Sequence, residues 1–340
     1  MDDGPLAVGI IGAGMMGELH ARAVAENPRA TLRGVADPDL DRARAVARRF
    51  GGTAYPDHRA MLAAEGLHAV VVASPEAAHR GPTEDAAAVG CAVLVEKPMA
   101  STLADADAMI AACAGAGVPL MVGHLLRFES AYAAMREAVA AGGIGRLLTA
   151  YARRNVPIDQ GERIGGRATL ATVVAIHDLD LLLWCHPAPV VAVSAKGVHG
   201  EVHRRFGVAD FLWTTVEFTD GALGVVESGW ALPRHWGAFG DIRLDLVGTE
   251  GVLQLDLARM NVAGFDARVG GWVAPDTRHW PEVSGRLAGA LRAEVDHFLA
   301  CAANGAPPLV DGATGRRALE LALAADRAQT TGERVTLPLG

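Results

Sequence analysis

Leu6-Ala7-Val8-Gly9-Ile10-Ile11-Gly12-Ala13-Gly14-Met15-Met16-Gly17 begins the first apolar run of the chain, and Asp37 stands twenty residues beyond its last glycine. An apolar run, then G-x-G-x-x-G, then a helical pattern over 15–27 closed by Asn27-Pro28, is the strand–turn–helix that holds a dinucleotide. Gly12 permits the tight turn, Gly14 lets the backbone approach a pyrophosphate, and Gly17 allows close packing of helix on strand. Ala13, Met15 and Met16 complete the turn, where the first helical amides face the phosphate. Asp37, ending the next strand, accepts hydrogen bonds from the adenosine ribose hydroxyls. A carboxylate there repels a 2′-phosphate, so NAD is expected, with Arg42 and Arg44 close enough to leave NADP open. The alternative reading is a glycine turn with a chance aspartate.

Outward from this turn, short apolar runs alternate with helical spacing as far as residue 122. Strands are expected at Leu6–Ile11, Thr31–Ala36, His68–Ala73, Ala92–Val95 and Pro119–Val122, and helices at 15–27, 39–50, 79–89 and 102–114. The runs are continuously apolar, as strands of a parallel sheet covered on both faces must be. The expected fold is therefore α/β, a doubly wound domain over 1–123. Beyond it lie one long helical stretch (168–184) and five β-like runs, Val190–Gly197, Phe211–Phe218, Ala222–Ser228, Ile242–Gly248 and Val252–Leu257. Tight turns at Thr219-Asp220-Gly221 and 248–251 join them, and helices are expected near 285–303 and 312–330. Residues 124–340 are thus expected to form an α+β domain with an open antiparallel sheet.

Composition bounds the function. With 340 residues, 51% apolar and 21% charged, the chain can bury two cores and is not globally disordered. A formal charge of −8 argues against nucleic acid or an anionic membrane as the main partner. The polar start Met1-Asp2-Asp3-Gly4-Pro5 has no basic n-region, so no secretory signal is expected, and no apolar run approaches the ~18 residues of a membrane span. Cys91, Cys113, Cys185 and Cys301 are scattered, which suits a cytoplasmic protein rather than a disulfide framework or zinc knuckle. His199 and His203 have i, i+4 spacing but not the H-E-x-x-H pattern, so no metal is expected. There is no G-x-S-x-G elbow.

Only two of the basic residues are lysines, Lys97 and Lys196. Glu96-Lys97-Pro98 follows the strand 92–95, where a side chain points into the crevice at the carboxyl ends of the strands. A lysine placed there in an arginine-rich chain suggests a compact cationic donor; the alternative is a loop lysine paired with Glu96. With Gly12–Gly17, Ser74-Pro75 and His79, Glu96-Lys97-Pro98 and Ile176-His177-Asp178-Leu179-Asp180, the sequence resembles the Gfo/Idh/MocA oxidoreductases. Asp220-Gly221, Glu227, Trp230, Val247–Gly251 and Asp311-Gly312 extend the resemblance over essentially the whole chain. It implies a Rossmann domain followed by an open-sheet domain often used for oligomerisation, here a homodimer or homotetramer. It also implies reversible oxidation of a hydroxyl on a sugar, cyclitol or similar small molecule. Ser74, Pro75, His79, Glu96 and Lys97 join the glycine turn as cofactor contacts, and Lys97 and His177 are the catalytic pair.

From spacing alone, His177 is as readily a core residue as a base: Val173, His177, Asp180 and Trp184 share one helix face. Loss of a hydroxyl proton accompanies hydride removal from an alcohol, and imidazole titrates in the range that suits a base. The family pattern has an aspartate four residues before this histidine; here Val173 stands there, and Ala175 replaces a common glycine. Asp180 is left to orient the imidazole. His124, Arg127 and Phe128 follow the last strand of the first domain and are expected to line the crevice. Arg153, Arg154, Asn155, Arg163 and Arg167 make the substrate side basic, Arg154 being the candidate contact, although solvated or structural arginines explain them equally. The expected function is an NAD(P)-dependent dehydrogenase of a sugar- or cyclitol-like hydroxyl. Its rivals are a non-catalytic dinucleotide-binding regulator and a reductase of a non-sugar substrate relying on Lys97.

Overall fold

The computed structural model describes residues 4–339 except 235, 237, 238, 259–261 and 269; Met1-Asp2-Asp3 of the polar start lie outside it. The chain divides into two compact units, Met1–Phe128 with Arg278–Arg316, and Glu129–Thr277 with Arg317–Gly340.

In the first unit, strands β1 (Leu6–Ile11), β2 (Ala30–Ala36), β3 (Thr53–Tyr55), β4 (Ala69–Val72), β5 (Ala92–Glu96) and β6 (Leu120–Gly123) are all parallel, in the order β3-β2-β1-β4-β5-β6. This is the doubly wound order, which reverses between β1 and β4. The helices are α1 (Met15–Ala25), α2 (Leu40–Phe50), α3 (His58–Glu65), α4 (Arg80–Ala88) and α5 (Leu103–Ala116). β4, β5 and β6 are buried at every residue, the continuous apolar pattern expected of strands covered on both faces. β3 and α3 lie in a stretch where only short, mixed runs hint at structure.

The second unit contains α6 (Ser130–Ala140), β7 (Leu147–Pro157), α7 (Ile158–Ile164), α8 (Ile176–Cys185), β8 (Val190–Val198), α9 (Glu201–Phe206), β9 (Phe211–Phe218), β10 (Leu223–Leu232), β11 (Asp241–Gly248), β12 (Val252–Asp256), β13 (Gly264–Asp266) and β14 (Gly271–Val273). Its main sheet runs β12-β11-β7-β10-β9-β8. The sheet is mixed, not wholly antiparallel as the sequence suggests. β7 pairs parallel with β10, because the crossover through 158–222 brings the chain back in the same direction. The remaining pairs are antiparallel. The expected long helix opens with a π-helical segment, Ala171–Ala175, before α8 continues it.

The chain then supplies the first unit with the hairpin β15 (Glu282–Val283) and β16 (Arg286–Leu287) and with α10 (Ala290–Asn304). The sequence places a single boundary near residue 123; by compactness, 278–316 belongs with the residues before it. Leu291, Val295, Phe298 and Leu299 of α10 are buried in the same core as Val8, Ile10 and Leu94. α11 (Gly312–Thr331) and β17 (Val335–Thr336), which pairs with β8, complete the fold.

Candidate active site

The glycine turn is built for a close neighbour. Gly12 has φ +99°, and a Cβ there would lie 2.7 Å from the Ala73 and Ser74 backbone. At Gly17 a Cβ would collide with the Gly12 carbonyl, whereas at Gly14 it would meet nothing within 4 Å. That open side faces an uncapped helix start. α2, α3 and α5 are each capped by a side chain, Asp39, Asp57 and Thr102, whereas α1, capped by Gly14, has none, as is also true of α4 and α10. Amides at a helix N-terminus that no side chain caps can bind an anion, and these residues fit a pyrophosphate. Asp37 is buried; its Oδ2 accepts the Ala13 amide at 2.7 Å and its Oδ1 the Asp39 amide at 2.8 Å. Each oxygen keeps acceptor capacity for a ribose hydroxyl. The residues present therefore fit a dinucleotide.

The other first-unit candidates differ in exposure. Met15 is exposed at the turn. Ser74 and Pro75 follow β4, and the Ser74 hydroxyl donates to Ala78 O at 3.4 Å. His79 is fully buried, with Nε2 2.7 Å from Ser74 O and Nδ1 3.2 Å from Met99 O. Burial pushes its pKa down, and its ring bridges the backbone at 74 and 99. Lys97, half-buried, follows β5, so it shares the carboxyl edge of the sheet with the glycine turn. Glu96 is tied at 2.7 Å to His20 of α1, and Glu294 of α10 lies beside them. The sequence reading missed His20 and Glu294. The available signal was a histidine and a glutamate on the buried faces of apolar helices. His124 and Arg127, just after β6, are both buried.

In the second unit, His177 opens α8 and is half-buried, as is Val173 in the π-helical segment one turn before it. Such segments alter which residues share a face and recur at functional sites. Asp178 and Asp180 are buried. Arg154 of β7 grips Asp178 with two hydrogen bonds, Nε to Oδ2 at 2.7 Å and Nη2 to Oδ1 at 2.9 Å, and donates to the Tyr132 hydroxyl at 3.1 Å. Against the opposing push of burial, Asp178 raises the Arg154 pKa, and burial first of all lifts the Tyr132 hydroxyl to about 12. The sequence offers Arg154 as a substrate contact; the structure puts its guanidinium in a buried pair that fixes the residue next to His177. Asn155 and Tyr151 both donate to Glu227, at 2.7 and 2.5 Å, and Arg153 pairs with Asp241 at 2.9 Å.

Residues 6–124 match the profile of an oxidoreductase family with an NAD-binding Rossmann fold, GFO_IDH_MocA, and residues 132–254 match the GFO/IDH/MocA C-terminal domain. The chain is 30% identical over 338 residues to the scyllo-inositol 2-dehydrogenase (NAD(+)) of Bacillus subtilis (strain 168), an alignment covering 96% of this chain and 95% of that protein. It is 29% identical over 337 residues to the D-apiose dehydrogenase of Paraburkholderia graminis, covering 96% and 88%. A crystal structure of a myo-inositol dehydrogenase from Corynebacterium glutamicum superposes with a TM-score of 0.81 at 25% identity, covering 99% of this chain and 100% of that one.

Proposed function

The chain belongs to the GFO/IDH/MocA oxidoreductase family, and on that premise we propose that it oxidises a secondary hydroxyl of a cyclitol- or sugar-like polyol with NAD. The observation that carries this reading is the carboxyl edge of the parallel sheet, where the uncapped glycine turn, Asp37 and Lys97 follow β1, β2 and β5. NAD, when bound, supplies the hydride acceptor. The α1 amides would hold its pyrophosphate and Asp37 its ribose. Lys97 presents an ammonium to the substrate oxygen and favours the developing alkoxide. His177 takes the hydroxyl proton, with Asp180 orienting the ring. Arg154 acts on this apparatus through Asp178, while His124 and Arg127 shape the substrate side of the β6 edge.

Val173 favours a second reading. Without the family carboxylate, Lys97 alone would carry proton transfer, as in a reductase of a non-sugar substrate. A panel of cyclitols, aldoses and nucleotide sugars, screened with NAD for NADH formation, separates the two. Turnover of a polyol supports the first reading; silence on all polyols with reduction of a carbonyl or imine by NADH supports the second.

We also propose assembly through the second-unit sheet. Its buried face carries Leu212, Thr214, Val216 and Phe218 of β9, while Trp213, Leu223 and Val252 stand exposed on the other. That open face is mixed in polarity, with Tyr151, Arg153 and Glu227 among its apolar groups, which suits an interface between copies rather than a stripped apolar patch. Among the described residues no helix is long and apolar enough to cross a membrane. The scattered, buried cysteines favour a cytoplasmic location.

A further inference from the structure

Three ionisable side chains from three elements meet in the interior of the first unit, one of them Glu96, the residue before Lys97. His20 of α1 and Glu294 of α10 are fully buried, and Glu96, which ends β5, nearly so. One ligand atom from each lies within 4.8 Å of the others. His20 Nε2 is 2.7 Å from Glu96 Oε1, and Glu96 Oε2 accepts the Lys97 amide at 3.2 Å. Gly123, at the end of β6, lies alongside this carboxylate: a Cβ there would touch it at 3.4 Å, an ordinary contact. Neither carboxyl oxygen of Glu294 has a hydrogen-bond partner among the described residues, nor does His20 Nδ1.

Two carboxylates this close, away from water, cannot both be ionised without a large cost, because desolvation and like charge both favour the neutral form. Burial and then the charge on Glu96 push the Glu294 carboxyl well above its usual range. Burial opposes ionisation of Glu96 as well, but His20 and then Lys97 hold its carboxyl below the usual range. Both influences favour the proton of the pair on Glu294 over Glu96.

We propose that Glu294 is a positioning residue for Lys97: packed as a neutral acid against the His20–Glu96 pair, it leaves Glu96 the single anion that anchors the lysine at the carboxyl edge of the sheet. The proposal rests on the reading of Lys97 as the substrate-facing cation. The groups facing Glu294 are His20 on α1 and Glu96 at the end of β5, Lys97 acts by its charge on Glu96, and the 125–128 turn packs on α10. Of the other charged groups nearby, Arg292 pairs with Asp296 on α10 itself, Arg22 with Glu26 on α1, and His297 accepts the Leu309 amide. Loss of the Glu294 proton at alkaline pH sets a second negative charge against Glu96 and loosens the anchor. Glu294→Gln keeps the neutral form at every pH.

The test has two arms. Infrared spectroscopy of the cofactor-free protein at neutral pH should show a protonated-carboxyl C=O band that disappears on alkalinisation and is absent in Glu294→Gln. Kinetically, wild-type kcat/KM for the polyol should fall on the alkaline side. In Glu294→Gln that fall should move upward, raising the ratio of alkaline to neutral kcat/KM about tenfold for each pH unit of the move. An absent band, or superimposable pH profiles, overturns the proposal. So does a stoichiometric divalent ion that copurifies with wild type and is lost from Glu294→Gln, since the cluster would then be a metal site. If Glu294→Gln does not fold, the wild-type band and its titration still decide. If no polyol is oxidised, the functional reading fails while the infrared arm decides this one independently.

Discussion

Asp37 orders the glycine turn through the Ala13 amide, and in the proposed complex the same carboxylate would present acceptors to a ribose. Asp37→Ser should therefore weaken NAD by about tenfold, the usual worth of a charge-assisted hydrogen bond, while NADP, freed from repulsion, should weaken less or tighten. Fluorescence titration with both cofactors reads this, and tighter NADP binding by the unaltered protein contradicts it. In the proposed reaction His177 and Lys97 divide the chemistry between them. His177→Ala should lower kcat by roughly 10²–10⁴, the range of a positioned base, and leave the NAD dissociation constant alone. Lys97→Ala should cost at least as much, because it removes the cation proposed to meet the alkoxide. Near-full activity in His177→Ala would make the histidine a packing residue.

At the scale of elements, the glycine turn and the apolar strands of the first unit were legible because their pattern follows from burial on both faces. β7 was not. Its run Tyr151-Ala152-Arg153-Arg154-Asn155 breaks the alternation of apolar and polar residues, since Arg154 points inward to Asp178 and only the partner explains it. The π-helical segment was equally hidden. Thr169 and Thr172 bond to each other's backbone at its start, a local arrangement that periodicity does not register. Two predictions belong here. Arg154→Met leaves Asp178 buried and unpaired, and should destabilise the protein by about 3–5 kcal/mol in denaturant titration, whereas loss confined to activity would mean that the arginine meets substrate instead. Burial lifts Asp326 of α11 to about 6 despite the hydroxyl that Thr169 donates to it at 2.6 Å. Its folded value lies above the unfolded one, so its contribution to stability is full in acid and lost as pH rises through about 6. Asp326→Asn should accordingly raise Tm at neutral pH by the equivalent of about 2–3 kcal/mol, an advantage that fades near pH 4. An equal shift at both pH values would contradict the assignment.

For the whole molecule, sequence order and compactness part company at α10. The helix lies far along the chain, yet it completes the first unit's core and carries Glu294 to the cluster with Glu96, the residue before Lys97. No local pattern announces such a return, and this is why His20 and Glu294 escaped notice while Lys97 did not. Assembly is checked by light scattering at micromolar concentration, where at least a dimer is expected and a monomer would remove the role given to the second-unit sheet. The central claim concerns hydride. A cyclitol carrying deuterium on the carbon of the reacting hydroxyl, incubated with NAD and the enzyme, should yield NADH bearing that deuterium by mass spectrometry, with Lys97→Ala yielding almost none. Unlabelled NADH, or no NADH from any polyol tested, would contradict the account.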